Sequence, residues 1–141
     1  MNDDLESITG YSAVIQNFGK WPSFHDAEII RLDLNRSGQS VLSVYAFTML
    51  GEIDDHGYYK LVNHAVVHFQ MEGIENLELF DFSRQNVIFG LELKREDDLY
   101  KIQLDPCFGL SGTLSCKKLS LVLEAGIPED KINKTESFIK T

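Results

Sequence analysis

Apolar residues near the start of the chain recur at intervals of three and four, which is the period of a helix with one buried face. The residues in this pattern are Leu5, Ile8, Tyr11, Val14, Ile15 and Phe18. Gly10 is a poor helix former, so a start after Gly10 is the alternative to a helix over the whole stretch. Gly19 is well placed to end the helix. The pattern predicts one amphipathic helix between residues 5 and 18.

The spacing of apolar positions changes from Glu28 onward to every second residue, as in strands with one solvated face. Residues 49–58 form a predicted acidic loop, and Gly73 is expected to break a long strand. The predicted strands cover residues 30–35, 41–48, 59–71, 75–82, 87–94, 99–104 and 113–123. About seven close strands and one helix predict an α+β, mostly β fold. We expect a single antiparallel, curled sheet with the N-terminal helix packed on it.

The length of 141 residues suits one domain, with no internal boundary and with residues 129–141 as a polar tail. The longest apolar runs are far shorter than the roughly 20 residues of a membrane helix. The start of the chain is acidic, where a secretory signal would be basic and then apolar. These features predict a soluble protein that stays in the cytoplasm.

The chain has a net charge of −9, from 22 acidic and 13 basic residues. Nucleic-acid binding needs a basic face for phosphate contacts, so this class of function is disfavoured, as is binding to an anionic membrane. Acidic residues concentrate in presumed loops, above all at Asp54-Asp55 and Glu96-Asp97-Asp98. Such a surface either keeps the protein soluble or attracts a basic partner, and charge alone leaves both readings open.

Neither the cysteines nor the histidines predict a metal site. Cys107 and Cys116 are too few for a disulfide framework and are expected to be free thiols. His64 and His68 have the spacing of helical zinc ligands, but their neighbours favour a strand. In a strand the two residues lie about 13 Å apart, too far for one ion to bridge. We therefore expect no metal and no cofactor.

The most distinctive segment is Trp21-Pro22-Ser23-Phe24-His25-Asp26-Ala27-Glu28. Its rings must be buried, and the polar groups beside them must find partners, so the segment is a structured joint between helix and strand. His25 and Asp26 are expected to hydrogen-bond nearby backbone, with partner binding or general-base chemistry as alternatives. Neighbours in a strand point to opposite faces, so the two side chains need not touch. No Gly-x-Ser-x-Gly nucleophile elbow occurs, and Ser23 would make a poorly directed dyad with His25.

Together with Ile29, this segment resembles the signature of the immunity protein 50 family of bacterial polymorphic toxin systems, Trp-Pro-x-Phe-His-Asp-x-Glu-Val. Ser23 and Ala27 fill the variable places, and Ile29 replaces the final valine. Residues 18–20 and 105–110 also fit the family, so the resemblance covers roughly residues 5–125. The resemblance implies a mostly β, cytoplasmic antidote without catalysis. Such a protein binds a cognate toxin domain and neutralises it by occluding the toxin's active site.

The resemblance also carries expectations for individual residues. The motif side chains are expected to serve mainly as scaffold, with function as the alternative: Trp21, Pro22, Phe24, His25, Asp26 and Glu28. An acidic antidote suits a basic toxin such as a nuclease. The toxin contacts are therefore sought in the acidic loops: Asp54, Asp55, His56, Glu96, Asp97 and Asp98.

Two other classes of function remain open at this stage. The first is a small metal- or ligand-dependent enzyme, which would bring His25 and Asp26 together with one of His56, His64 or His68. The second is an adaptor domain for a partner that is not a toxin.

Overall fold

The computed structural model describes residues 5–129. Its elements are α1 (Tyr11–Phe18), β1 (Glu28–Asp33), β2 (Ser40–Ile53), β3 (Tyr59–Phe80), β4 (Asn86–Glu96), β5 (Leu99–Phe108) and β6 (Ser111–Ala125). The strands pair antiparallel in the order β1-β2-β3-β6-β5-β4, and β4 pairs back with β1 to close the sheet into a barrel. The predicted mostly β fold, with one antiparallel sheet and an N-terminal helix, is confirmed. Of the predicted tail 129–141, residues 130–141 lie outside the described part of the chain.

Glycines set both ends of α1. The helix begins at Tyr11, directly after Gly10, which has a φ of 90°. It ends before Gly19, whose N–H donates to the carbonyl of Ile15 over 2.7 Å. A left-handed residue after the last turn satisfies carbonyls that would otherwise lack donors, and glycine adopts that conformation without strain. The later of the two predicted helix starts is therefore the one observed.

The sheet has six strands because the two stretches predicted on either side of Gly73 form one strand, β3. Gly73 has a φ of 68°, so it bends the strand without ending it. The neighbouring strand β6 pairs with β3 on both sides of the bend, through Lys118 with Glu72 and Cys116 with Ile74. Gly73 indicates the bend in the sequence. That β3 continues as one strand depends on pairing with β6, which at the bend lies more than 40 residues away in the chain.

The loop predicted at residues 49–58 is shorter than expected, because β2 continues to Ile53. Pairing of β2 with β1 stops at Tyr45, and pairing of β3 with β6 stops at Ala65. Among the described strands, residues 48–62 therefore pair only with each other. We call this two-stranded projection the arm, and residues 54–58 its tip.

The core fills the barrel and the space under α1. Inward side chains alternate along the strands, as a pleated sheet with one buried face requires. The largest fully buried ones include Phe69, Leu42, Met71, Ile88, Ile102, Leu110 and Leu114. α1 adds Tyr11, Val14 and Phe18 to the same cluster. Within residues 5–129, no helix combines the length and the apolar character needed to cross a lipid bilayer.

Candidate functional site

The rings of the motif join α1 to the interior of the barrel. Trp21 stacks on Tyr11 of the helix, with ring centroids 4.9 Å apart and planes 7° from parallel. Its other contact is edge-on to Phe24 at 5.6 Å, and Phe24 in turn meets Phe69 of β3 at 6.0 Å. Pro22 is buried beside them. The aromatic part of the motif is thus a packed connection between helix and sheet.

The backbone of the motif hydrogen-bonds to β4 at the position where β1 and β4 pair least. β1 and β4 share only two residue pairs, so most of this edge of β4 lacks a neighbouring strand. Asp26 N–H donates to the carbonyl of Ile88 over 3.0 Å, and Ile88 N–H donates to Ala27 over 2.9 Å. His25 Nδ1 lies 3.2 Å from the carbonyl oxygen of Phe89, and it is the donor because a carbonyl only accepts. The motif therefore supplies hydrogen bonds that a full strand pairing would have made.

His25 and Asp26 contact each other, which differs from the expectation for neighbours in a strand. The reason is that they lie in a turn before β1, where Phe24 and Asp26 have φ angles of 61° and 65°. His25 Nε2 is 3.5 Å from Asp26 Oδ2, and both side chains are about half exposed. The imidazole also meets the ring of Phe89 edge-on, with centroids 5.0 Å apart. Positive φ is costly for Phe24, so surrounding contacts must hold this turn in place.

Glu28, the last acidic residue of the motif, is 9% exposed and pairs across the sheet with Tyr45. Burial, and then the charge of Glu28, raise the pKa of the Tyr45 hydroxyl. That hydroxyl lies 2.7 Å from His64 Nδ1. Since His64 Nε2 donates to the carbonyl of Leu61 at 3.2 Å, Nδ1 accepts and Tyr45 is the donor in the neutral ring. Glu28 thus lies beside a polar cluster at the root of the arm.

The second strand histidine, His68, links three strands. Its Nδ1 lies 2.7 Å from Ser43 Oγ on β2, and its Nε2 lies 3.0 Å from Glu124 Oε1 on β6. A chain of serine, histidine and carboxylate is the arrangement of hydrolytic triads. Here Ser43 is only 1% exposed, so a substrate cannot reach its hydroxyl. The contacts join β2, β3 and β6 on the outer face of the sheet.

The structure does not assemble the groups that the enzyme alternative needs. His64 and His68 each have their own partners, and His56 lies at the tip of the arm. In the part of the chain that the structure describes, no three of the His, Cys, Asp and Glu side chains are grouped to hold a metal ion. His25 and Asp26 contact each other, but no other described histidine hydrogen-bonds to either of them.

The cysteines occupy different surroundings in the sheet. Cys107 is exposed near the end of β5, and Cys116 is buried in β6, within the predicted strand 113–123. Burial raises the pKa of the Cys116 thiol to about 11. Both are free thiols.

The acidic candidates at the arm tip have unequal roles. Asp54 Oδ1 accepts hydrogen bonds from the backbone N–H groups of His56 and Tyr58, at 2.8 and 2.9 Å. The Asp54 backbone N–H also donates to the carbonyl of Tyr58 over 2.7 Å. Asp54 therefore holds the turn, whereas the side chains of Asp55 and His56 are exposed. Short-range hydrogen bonding of this kind is the usual use of aspartate in turns.

The second acidic group lies at the β4–β5 turn. Glu96 pairs with Leu99, which leaves Asp97 and Asp98 as a two-residue turn with φ angles of 51° and 62°. Both angles are positive, as in the type I′ turns that suit twisted hairpins. Glu96, Asp97 and Asp98 are exposed.

The two acidic groups do not form one surface. Arg95 of β4 pairs with Tyr100 of β5, Tyr100 pairs with Cys116 of β6, and Cys116 pairs with Ile74 of β3. Ile74 is separated from Tyr59, at the start of the arm's second strand, by about 50 Å of extended strand. The acidic residues of the arm and those of the β4–β5 turn are therefore two separate candidate sites.

The arm also exposes an apolar face that the sequence alone does not identify. Met49 pairs with Leu61, and Ile53 pairs with Tyr59. Paired residues of an antiparallel ladder share a face, and so do residues two apart in a strand, so all four side chains lie on one side. Their exposed fractions run from 38% to 60%. The alternation in the sequence places Tyr59 and Leu61 on one face of the strand. It does not show whether other residues cover that face.

A cavity of about 240 Å³ lies where the motif meets the root of the arm. Its walls combine the end of α1, the motif and β2: Phe18, Lys20, Pro22, Ser23, His25, Phe47, Thr48 and Met49. Met49 belongs both to this cavity and to the apolar face of the arm. The motif and the arm therefore form one continuous surface.

A buried asparagine outside the motif was missed by the sequence analysis. Asn86 is 3% exposed, and its Oδ1 accepts from the backbone N–H groups of Ser83 and Leu110, each at 2.9 Å. Its Nδ2 donates to the carbonyl of Ser83 over 2.8 Å. Asn86 thus fastens the turn at Ser83 to the segment at Leu110, between β5 and β6. Its position directly before the predicted strand 87–94 was the only signal.

The fold and the motif joint define a small β protein in which a helix-to-strand connection completes a closed antiparallel sheet. The family model for immunity protein 50 matches residues 10–123, from the start of α1 into β6. The matched range includes the motif and the arm, and the chain belongs to the immunity protein 50 family. No curated protein matches the chain. No solved structure matches it either.

Proposed function

We propose that this protein binds the toxin domain of a polymorphic toxin system and neutralises it by covering the toxin's active site. Membership of the immunity protein 50 family is the observation that carries the proposal. An antidote of this kind needs a preorganised surface and no catalytic group of its own. The complex would form in the cytoplasm of the producing cell or its siblings, before the toxin reaches its substrate.

Within this proposal the motif is scaffold. Trp21 and Phe24 pack between α1 and β3, and His25 donates to the backbone of β4. Pro22 of the motif and Met49 of the arm line the same cavity, so the motif would support the root of the arm. The motif would then preserve the shape of the binding surface without supplying most of its contacts.

We further propose that the toxin domain is basic, as a nuclease would be. The chain has a net charge of −9, and the exposed carboxylates at Asp55, Glu96, Asp97 and Asp98 extend from two hairpin turns. Opposite potentials accelerate diffusional encounter, and salt screens them. Raising the salt concentration from about 50 to about 500 mM should then slow association about tenfold or more, measured by stopped flow. An association rate that does not change with salt would remove the argument for a basic partner.

Co-expression with the neighbouring toxin gene tests the function itself. The toxin domain would be induced in a host with and without this protein, and a catalytically inactive toxin domain would serve for co-purification. We expect growth to be restored and a complex to be isolated. A variant with a charge in the core, Phe69→Asp, is the control, because an unfolded chain should not protect. Absence of both rescue and complex would contradict the proposal.

A further inference from the structure

We propose that the toxin domain docks on the apolar face of the arm, formed by Met49, Ile53, Tyr59 and Leu61. This inference rests on the proposed function and names the contact surface for it. The matching surface on the toxin would be an apolar groove with lysine and arginine side chains at its rim.

The first argument is the exposure of four apolar side chains on one face. Tyr59 is 56% exposed and Ile53 is 60% exposed, and they are paired directly across the arm. Contiguous exposed apolar surface marks interaction sites in soluble proteins, whereas single exposed apolar residues are common. Tyrosine is also among the residues that contribute most to binding energy at interfaces.

The second argument is that the arm is ordered before it binds. Asp54 holds the tip through its two backbone hydrogen bonds. On the face opposite the apolar one, Lys60 Nζ lies 3.5 Å from Glu52 Oε2. At the root, Asn17 Nδ2 of α1 donates to the carbonyl of Asn63 over 3.0 Å. A preorganised surface loses less conformational entropy on association than a loose loop would.

The third argument is charge, which selects a basic partner over a second copy of this chain. The arm carries Glu52, Asp54 and Asp55 against one cation, Lys60. Two such arms would repel one another, in line with the net charge of −9 for the whole chain. A toxin groove with a basic rim would instead meet these carboxylates while its apolar floor covers the face.

The fourth argument is continuity with the motif. Other exposed aromatic residues exist, such as Phe80, but Phe80 lies at the far end of β3. Met49 of the arm lines the cavity that Ser23 and His25 also line. A partner on the arm would therefore cover the exposed side of the motif, and this places the docking surface at the arm.

The test compares two exposed aromatic residues on the same strand. Tyr59→Ser removes a ring from the arm, and Phe80→Ser removes a ring of nearly equal exposure, 56% against 57%, from the other end of β3. Binding of each purified variant to the catalytically inactive toxin domain would be measured by calorimetry. We expect Tyr59→Ser to weaken Kd by about tenfold to thirtyfold, and Phe80→Ser to leave it within about twofold. Thermal unfolding of both variants would show that each is folded.

Each alternative outcome identifies what failed. Unchanged affinity for Tyr59→Ser, or a loss confined to Phe80→Ser, would overturn the arm as the docking surface while the proposed function stands. A wild-type protein that neither binds nor protects against the toxin domain would overturn the proposed function and this inference with it. Sedimentation equilibrium covers the remaining case: a dimer of the wild type that Tyr59→Ser dissociates would assign the face to a second copy.

Discussion

Replacement of Trp21 by alanine distinguishes the two roles that the motif can have. The indole ring lies between Tyr11 of the helix and Phe24 of the joint, with centroid distances of 4.9 and 5.6 Å. If the motif is scaffold, the substitution lowers stability and weakens toxin binding only through unfolding. If the motif is interface, binding is lost while stability is retained.

The magnitude follows from these contacts. A tryptophan buries about 150–250 Å² when fully enclosed, and half of this at about 25 cal/mol per Å² corresponds to about 2–3 kcal/mol. Loss of the two aromatic pairs adds about 0.5–1.5 kcal/mol each. The expected decrease in the free energy of unfolding is therefore about 3–6 kcal/mol, close to the range of about 3–5 kcal/mol that is typical of Trp-to-Ala changes in cores.

Thermal and urea unfolding would measure the change. For a chain of this length, each kcal/mol corresponds to about 3–5 °C, so Tm should fall by about 10–30 °C. The control is Phe82→Ala, since Phe82 is 65% exposed and its loss should change stability by about 0.5 kcal/mol or less. A Tm for Trp21→Ala within about 2 °C of the wild type would refute the packing argument. Loss of toxin binding in that folded variant would then assign the motif to the interface.

Three further predictions concern other parts of the sheet. Asn86→Ala should cost about 2–5 kcal/mol in urea unfolding, because it removes three hydrogen bonds and leaves a buried backbone N–H without an acceptor. Gly10→Ala should cost about 2–5 kcal/mol, because its φ is 90° and a Cβ there would lie 1.8 Å from a backbone carbonyl oxygen of β6. In the native protein near pH 8, a thiol reagent should modify exposed Cys107 and spare buried Cys116, whose pKa is raised to about 11.

Matched controls make these predictions specific. Asn76 is exposed on β3, so Asn76→Ala should leave stability nearly unchanged, and an equal loss in both variants would argue against the role of Asn86. A Cβ on Gly51 would meet nothing within 4 Å, so Gly51→Ala should be mild where Gly10→Ala is severe. Denaturant should make Cys116 as reactive as Cys107, and native labelling of both thiols at equal rates would contradict the burial of Cys116.

Much of the local structure could be predicted because it depends on neighbours in the chain. The helix ends before Gly19 because glycine readily adopts the left-handed conformation that caps many helices. The pair Asp97 and Asp98 forms a hairpin turn within the presumed acidic loop between the predicted strands 87–94 and 99–104. The motif appeared as a hydrogen-bonded joint because buried rings beside polar groups require partners. Its contact between His25 and Asp26 was not anticipated, because the segment forms a turn where a strand was assumed.

The sequence by itself determined that this protein is mostly β, where its helix and hairpin turns lie, and which segment carries the family motif. Only the tertiary structure decided that β3 continues through Gly73, that the motif hydrogen-bonds to the edge of β4, and that the side chains around Tyr59 are exposed in the described part of the chain. The physical reason is the range of the interactions. Turn and helix signals act within a few residues, whereas strand pairing and burial depend on segments distant in the chain. An alternating pattern shows that a strand has two faces, but only the packed molecule shows which face is buried and which is exposed.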